Sequence, residues 1–157
     1  MFDEFRGLPL HPLVVHAADV LLPVTALLGV LYVVPRLRMQ LRWPLLAAAL
    51  ASLVTVYVTR QSGEALKDTL NLGGPVAAAV ERHQDLANHL MWLVVALAVV
   101  VVVAVLTSRR GRPAVQTVLA ALVFLAAVAV GVQTARVGEA GTRAVWNPTG
   151  DASFSGG

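Results

Sequence analysis

The sequence predicts an all-α membrane protein: a four-helix transmembrane bundle that reads as two duplicated helical hairpins. Three observations predict it. Charged residues make up 13% of the 157 positions, about half the share usual in a soluble domain. Hydrophobic residues make up 57%, and mean hydropathy is +0.74. The apolar residues also fall into four blocks of about 20 residues, the length at which a helix crosses a hydrocarbon layer of about 30 Å.

The same composition excludes several function classes. With no cysteine there is no disulfide framework, thiolate metal site, iron–sulfur cluster or thioether-linked haem. The net charge of +3 and pI near 10.2 do not point to nucleic acid, because the basic residues sit in short loops beside the apolar blocks. The lead-in Met-Phe-Asp-Glu-Phe-Arg lacks the basic start of a signal peptide, so the first block is expected to be retained as a span.

In chain order, residues 1–10 form a short amphipathic lead-in. Pro12 suits a first helical turn, and span 1 is expected over 12–34, with Pro23 placed to kink it and Pro35 to stop it. Arg36, Arg38 and Arg42 follow in a tight loop. Span 2 is expected over 43–63. The segment 64–84 is the longest polar piece, and Gly73-Gly74-Pro75 within it marks a break and a helix start. Span 3 is expected over 85–107, a second tight loop carries Arg109, Arg110 and Arg112, and span 4 is expected over 114–137. Residues 148–157 read as a disordered tail. Trp43, Trp92 and Trp146 read as interface anchors, and Gly29 and Gly131 as packing contacts.

The two arginine loops contain no acid, so the positive-inside bias puts both in the cytoplasm and both termini outward, in a bacterial cytoplasmic membrane. All four histidines and all nine acids then gather on the outward half. A weak repeat points to the same end. Thr59-Arg-Gln-Ser-Gly63-Glu64-Ala65 and Thr134-Ala-Arg-Val-Gly138-Glu139-Ala140 share Thr, Gly, Glu and Ala in register, and His11/His16 parallels His83/His89. As a duplication, this makes two parallel hairpins about an axis along the membrane normal.

Three readings of this end stay open. In the first, His16 and His89 face each other and ligate a b-type haem, with Arg60 and Arg136 on its propionates. Asp19 and Asp85 share a helix face with His16 and His89, and Glu64 and Glu139 lie nearby, so these four carboxylates would orient the ligating groups. In the second, His11, His16, His83 and His89 hold a divalent metal. Their spacings of five and six put neither pair on one helix face, which weakens that reading. In the third, the polar groups bind no cofactor and fix the packing of a structural or assembly subunit. No nucleophile elbow, P-loop or dinucleotide fingerprint points to catalysis of its own.

The His-Pro-Leu-Val-Val-His opening, His89, and the closing Val-Gly-Glu-Ala-Gly-Thr-Arg-Ala-Val-Trp146 resemble a bacterial family of small four-span membrane proteins of unknown function. The resemblance covers most of residues 7–147. In that family the last motif often reads Gly-His-Ser-Gly, and here Glu139 stands in place of the histidine. Some relatives are joined to redox domains, which implies an electron-transfer setting, with a respiratory or other membrane redox complex as partner beside the lipid bilayer.

Overall fold

A computed structural model describes residues 4–5, 7–70, 72–109 and 111–153. Four helices make up the fold: α1 (Leu10–Leu31), α2 (Arg38–Thr69), α3 (Gly74–Thr107) and α4 (Pro113–Trp146). All four are long and apolar enough to cross a membrane. Ahead of α1, the short strands β1 (Glu4–Phe5) and β2 (Leu8–Pro9) pair antiparallel around Gly7, whose φ of 77° is readily adopted only by glycine.

The chain chemistry sets the helix ends. Span 1 was expected to reach residue 34, but α1 stops at Leu31, and Tyr32–Leu37 turn the chain back. The guanidinium of Arg38 donates to the carbonyls of Tyr32 (3.3 Å) and Val33 (3.0 Å), covering acceptors that a helix C-terminus leaves bare. Prolines sit in the first turn of α3 and of α4, where the missing N–H costs nothing. Gly74, with φ of 58°, makes the entry into α3.

At the other end, α2, α3 and α4 overrun the predicted spans of 43–63, 85–107 and 114–137. The apolar blocks stop there, but Glu64-Ala-Leu-Lys67 and the alanine-rich Val76–Arg82 favour helix and continue the coil past them, and α4 runs on through Gly141 and Thr142 to Trp146. At the start of the expected tail, Asn147 donates to the Ala152 carbonyl and accepts from its N–H, both at 3.1 Å. Residues 154–157 lie outside the described residues.

The helices form a ring in which α1 packs on α2 and α4, and α3 packs on α2 and α4, leaving α1 and α3 diagonal. Buried residues recur at intervals of three and four: Ala18, Leu22, Thr25 and Gly29 on α1, and Leu90, Val94, Leu97, Val101 and Ala104 on α3. This is the spacing of helices that interlock side by side. Lipid tails are as apolar as these side chains, so close packing and interhelical hydrogen bonds carry the association. Thr25 and Ser52 share a 2.8 Å hydroxyl bond between α1 and α2, with both residues fully buried. Gln133 on α4 donates to the Leu86 carbonyl of α3 at 3.0 Å. Along the α1–α4 seam, a Cβ on Gly29 would come within 2.6 Å of the Ala127 Cβ, and one on Gly131 within 3.6 Å of the Ala26 Cβ. Val20, Leu27, Leu106 and Leu125 face outward, where lipid would meet them.

Candidate functional site

The end of the bundle opposite the two arginine loops carries the histidines. His11 precedes Ala18 by seven residues and so continues the buried stripe of α1. His83 precedes Leu90 by the same interval on α3. Each imidazole turns onto the next helix of its own hairpin. His11 donates its Nδ1–H to the Thr59 carbonyl of α2 at 2.9 Å, and His83 donates to the Val137 carbonyl of α4 at 3.0 Å. One turn beyond each carbonyl lies a glycine under the ring. A Cβ on Gly63 would stand 3.0 Å from His11 Cε1, and one on Gly141 would stand 3.1 Å from His83 Cε1. Larger residues at 63 and 141 would push the rings off.

Two hairpins therefore make one contact twice. A ring that donates through Nδ1 keeps its lone pair on Nε2 when neutral. Neither Nε2 makes a hydrogen bond among the described residues. In the first hairpin Ser62 adds to the contact, donating to the Thr59 carbonyl at 3.0 Å with its Oγ 3.4 Å from His11 Nδ1. The second hairpin has the buried Ala140 one residue before its glycine.

The structural register differs from the sequence match. The polar matches paired Gly63 with Gly138, whereas the ring contacts pair Gly63 with Gly141. That is a slip of about one helical turn. Apolar helices align with each other at many offsets, and the histidine contact selects among them.

His16 and His89 are both exposed. His16 spends its Nδ1–H on the Pro12 carbonyl of its own helix, at 2.6 Å. At about 100° per residue, His16 stands about 140° around α1 from His11, and His89 about 120° around α3 from His83. The rings turned into the bundle are His11 and His83, not the His16 and His89 that the sequence favoured for haem. Asp19 and Asp85 are also exposed and enter no ion pair among the described residues. Arg60 pairs with Glu64 at 3.0 Å, and Glu139 with Arg143 at 2.7 Å, each along a single helix. Arg136 lines a cleft between α3 and α4. Lys67 on α2 donates to Gln84 on α3 at 2.9 Å, closing this end between the hairpins.

Among the described residues, no three His, Asp or Glu side chains come together as a metal site, so the four histidines do not converge on one ion. Sequence reasoning missed Gly63, Gly141 and the two carbonyls as the docking partners. The sevenfold phase of the buried stripes carries His11 and His83 inward, but it does not point to the glycines on the neighbouring helices.

No curated protein and no solved structure matches the chain. A family model does, over residues 7–150, a span that takes in all four helices and both histidine contacts. The chain thus belongs to the DUF2231 family of predicted membrane proteins.

Proposed function

We propose that this multi-pass membrane protein carries a b-type haem at its histidine end, ligated by the Nε2 atoms of His11 and His83. The observation behind this reading is the pair of Nδ1–H bonds to the Thr59 and Val137 carbonyls. Metal-bound histidines usually tie their other ring nitrogen to such an acceptor, which fixes the tautomer and turns a lone pair toward the metal. Two imidazoles are too few to hold a free zinc or copper ion. They complete an iron that arrives inside its own tetrapyrrole. When bound, such a group supplies a one-electron couple. The role of the chain is to hold two neutral rings at fixed positions on diagonal helices. With the arginine loops in the cytoplasm, the site faces outward and serves a redox partner there.

The test is the absorption spectrum of protein expressed with ample haem. A Soret band that disappears in His11→Ala and in His83→Ala, and survives in His16→Ala and His89→Ala, supports the reading. A wild-type preparation without a Soret band sinks it.

A second reading rests on Gly63 and Gly141. Each imidazole fills the notch over a glycine, so the contacts also serve as two locks that set the hairpin geometry of a structural or assembly subunit. That reading expects His11→Ala and His83→Ala to lower the unfolding temperature of protein that never held haem.

A further inference from the structure

At the histidine end, α3, α4 and the turn after α4 enclose an open cleft of about 970 Å³. Its lining includes the apolar Ala78, Leu86 and Ala140, and its exposed rim carries Arg82, Arg136 and Arg143. Arg143 is held by Glu139. Arg82 and Arg136 are exposed and make no hydrogen bond or ion pair with the described residues. The far wall is the turn tied down by Asn147. There Gly150, with φ of 82°, bends the chain so that Asp151 reaches the rim. Three guanidinium groups against two carboxylates leave the cleft net positive.

The depth of the cleft narrows what it could take. Counting from the other end of the bundle at about 1.5 Å per residue, Arg136 stands about 34 Å from Pro113, and Arg82 about 37 Å from Thr107. Both lie just beyond a hydrocarbon layer of about 30 Å, at the level of lipid headgroups. Apolar side chains with free guanidinium forks beside them suit an anion that presents several accepting oxygens.

We infer that this cleft binds a phosphate anion, either the phosphodiester of an anionic lipid headgroup or a free phosphate. The site is independent of any haem: it lies outside the histidine pair and uses neither ring.

The purified full chain, in a neutral detergent, is titrated calorimetrically with short-chain phosphatidylglycerol, with phosphatidylcholine and with inorganic phosphate. The expected result is saturable binding of phosphatidylglycerol at one per chain. It weakens at least tenfold in Arg82→Ala/Arg136→Ala and is unchanged in Arg109→Ala/Arg112→Ala at the opposite end. Inorganic phosphate binding with the same arginine dependence supports the site and assigns it to a soluble anion. Equal uptake of phosphatidylcholine, binding indifferent to Arg82 and Arg136, or no binding of either anion overturns it. Both arginines are exposed, and an unchanged melting temperature of the double variant confirms that it is folded. Should it melt early, Arg82→Gln/Arg136→Gln repeats the titration with the side-chain bulk retained.

Discussion

The α1–α2 hairpin and the α3–α4 hairpin solve one problem twice and a second problem differently. Both seat a histidine over a glycine and tie it to a carbonyl one turn earlier. Deeper in the membrane they diverge. The first hairpin is tied by the Thr25–Ser52 hydroxyl pair, the second by Gln133 on the Leu86 carbonyl. They diverge in length too, since α1 begins one residue before His11 while α3 runs for nine residues before His83. The extra turns of α3 form one side of the arginine cleft. The histidine contact is thus the common frame, and the buried ties differ between the halves.

The largest effect expected from breaking the comparison lies at the seam between the halves. Gly29→Leu drives a side chain into Ala127, which has no long flexible side chain to move aside. The helices must part, at a cost near the upper end of the usual 1–3 kcal/mol for overpacking, about 3 kcal/mol. Unfolding in mixed micelles measures it, and a loss below about 1 kcal/mol would show that the seam is loose. His11→Ala and His83→Ala come next, at about 1–2 kcal/mol each for a lost hydrogen bond and an emptied notch. Equal losses confirm that the two contacts are equivalent, and a clear inequality breaks the symmetry. His16→Ala and His89→Ala, on exposed faces, should stay within about 0.5 kcal/mol of wild type.

The buried ties are worth less. Gln133→Leu should cost about 1 kcal/mol and Thr25→Val about 0.6 kcal/mol, the range of interhelical hydrogen bonds within membranes. The same denaturation series ranks them, and a Thr25→Val loss above that of Gln133→Leu would reverse the order proposed for the two hairpins. Arg60→Ala is as small a change as those at the exposed histidines. Its ion pair with Glu64 has more than a third of each side chain exposed, so salt and water screen it and the loss should stay under about 0.5 kcal/mol.

Much of this fold was legible in the chain. Four apolar blocks, two arginine loops and the Gly73-Gly74-Pro75 break placed the helices and their order. The helix ends were unevenly legible: Gly73-Gly74-Pro75 marked the start of α3, whereas hydropathy marks where a membrane ends and not where a coil ends, and residues 64–69 continue α2 past its apolar block. At the histidine end, the sequence named all four histidines and favoured His16 and His89, which are exposed, whereas His11 and His83 are the two that dock on a neighbouring helix. His16 and Asp19 do share a face, as do Asp85 and His89, yet each of those faces turns outward. Local spacing describes one helix. Which side of it meets the bundle is decided by the whole stripe, and reading back from Ala18 and Leu90 in steps of seven would have found His11 and His83. The glycines beneath the rings carried no signal of their own, since their role depends on a side chain from another helix.

The break between α2 and α3 has a practical consequence. The chain contains no cysteine, and at Gly73 a Cβ would meet nothing within 4 Å. A single thiol introduced there, in sealed vesicles, is open to a bulky maleimide on one side of the bilayer only. A second variant with its thiol at the exposed Arg109 reports the opposite side. Labelling of Gly73→Cys from the outside of whole cells, with Arg109→Cys protected until the membrane is opened, would fix which way the histidine end points without any knowledge of what it binds.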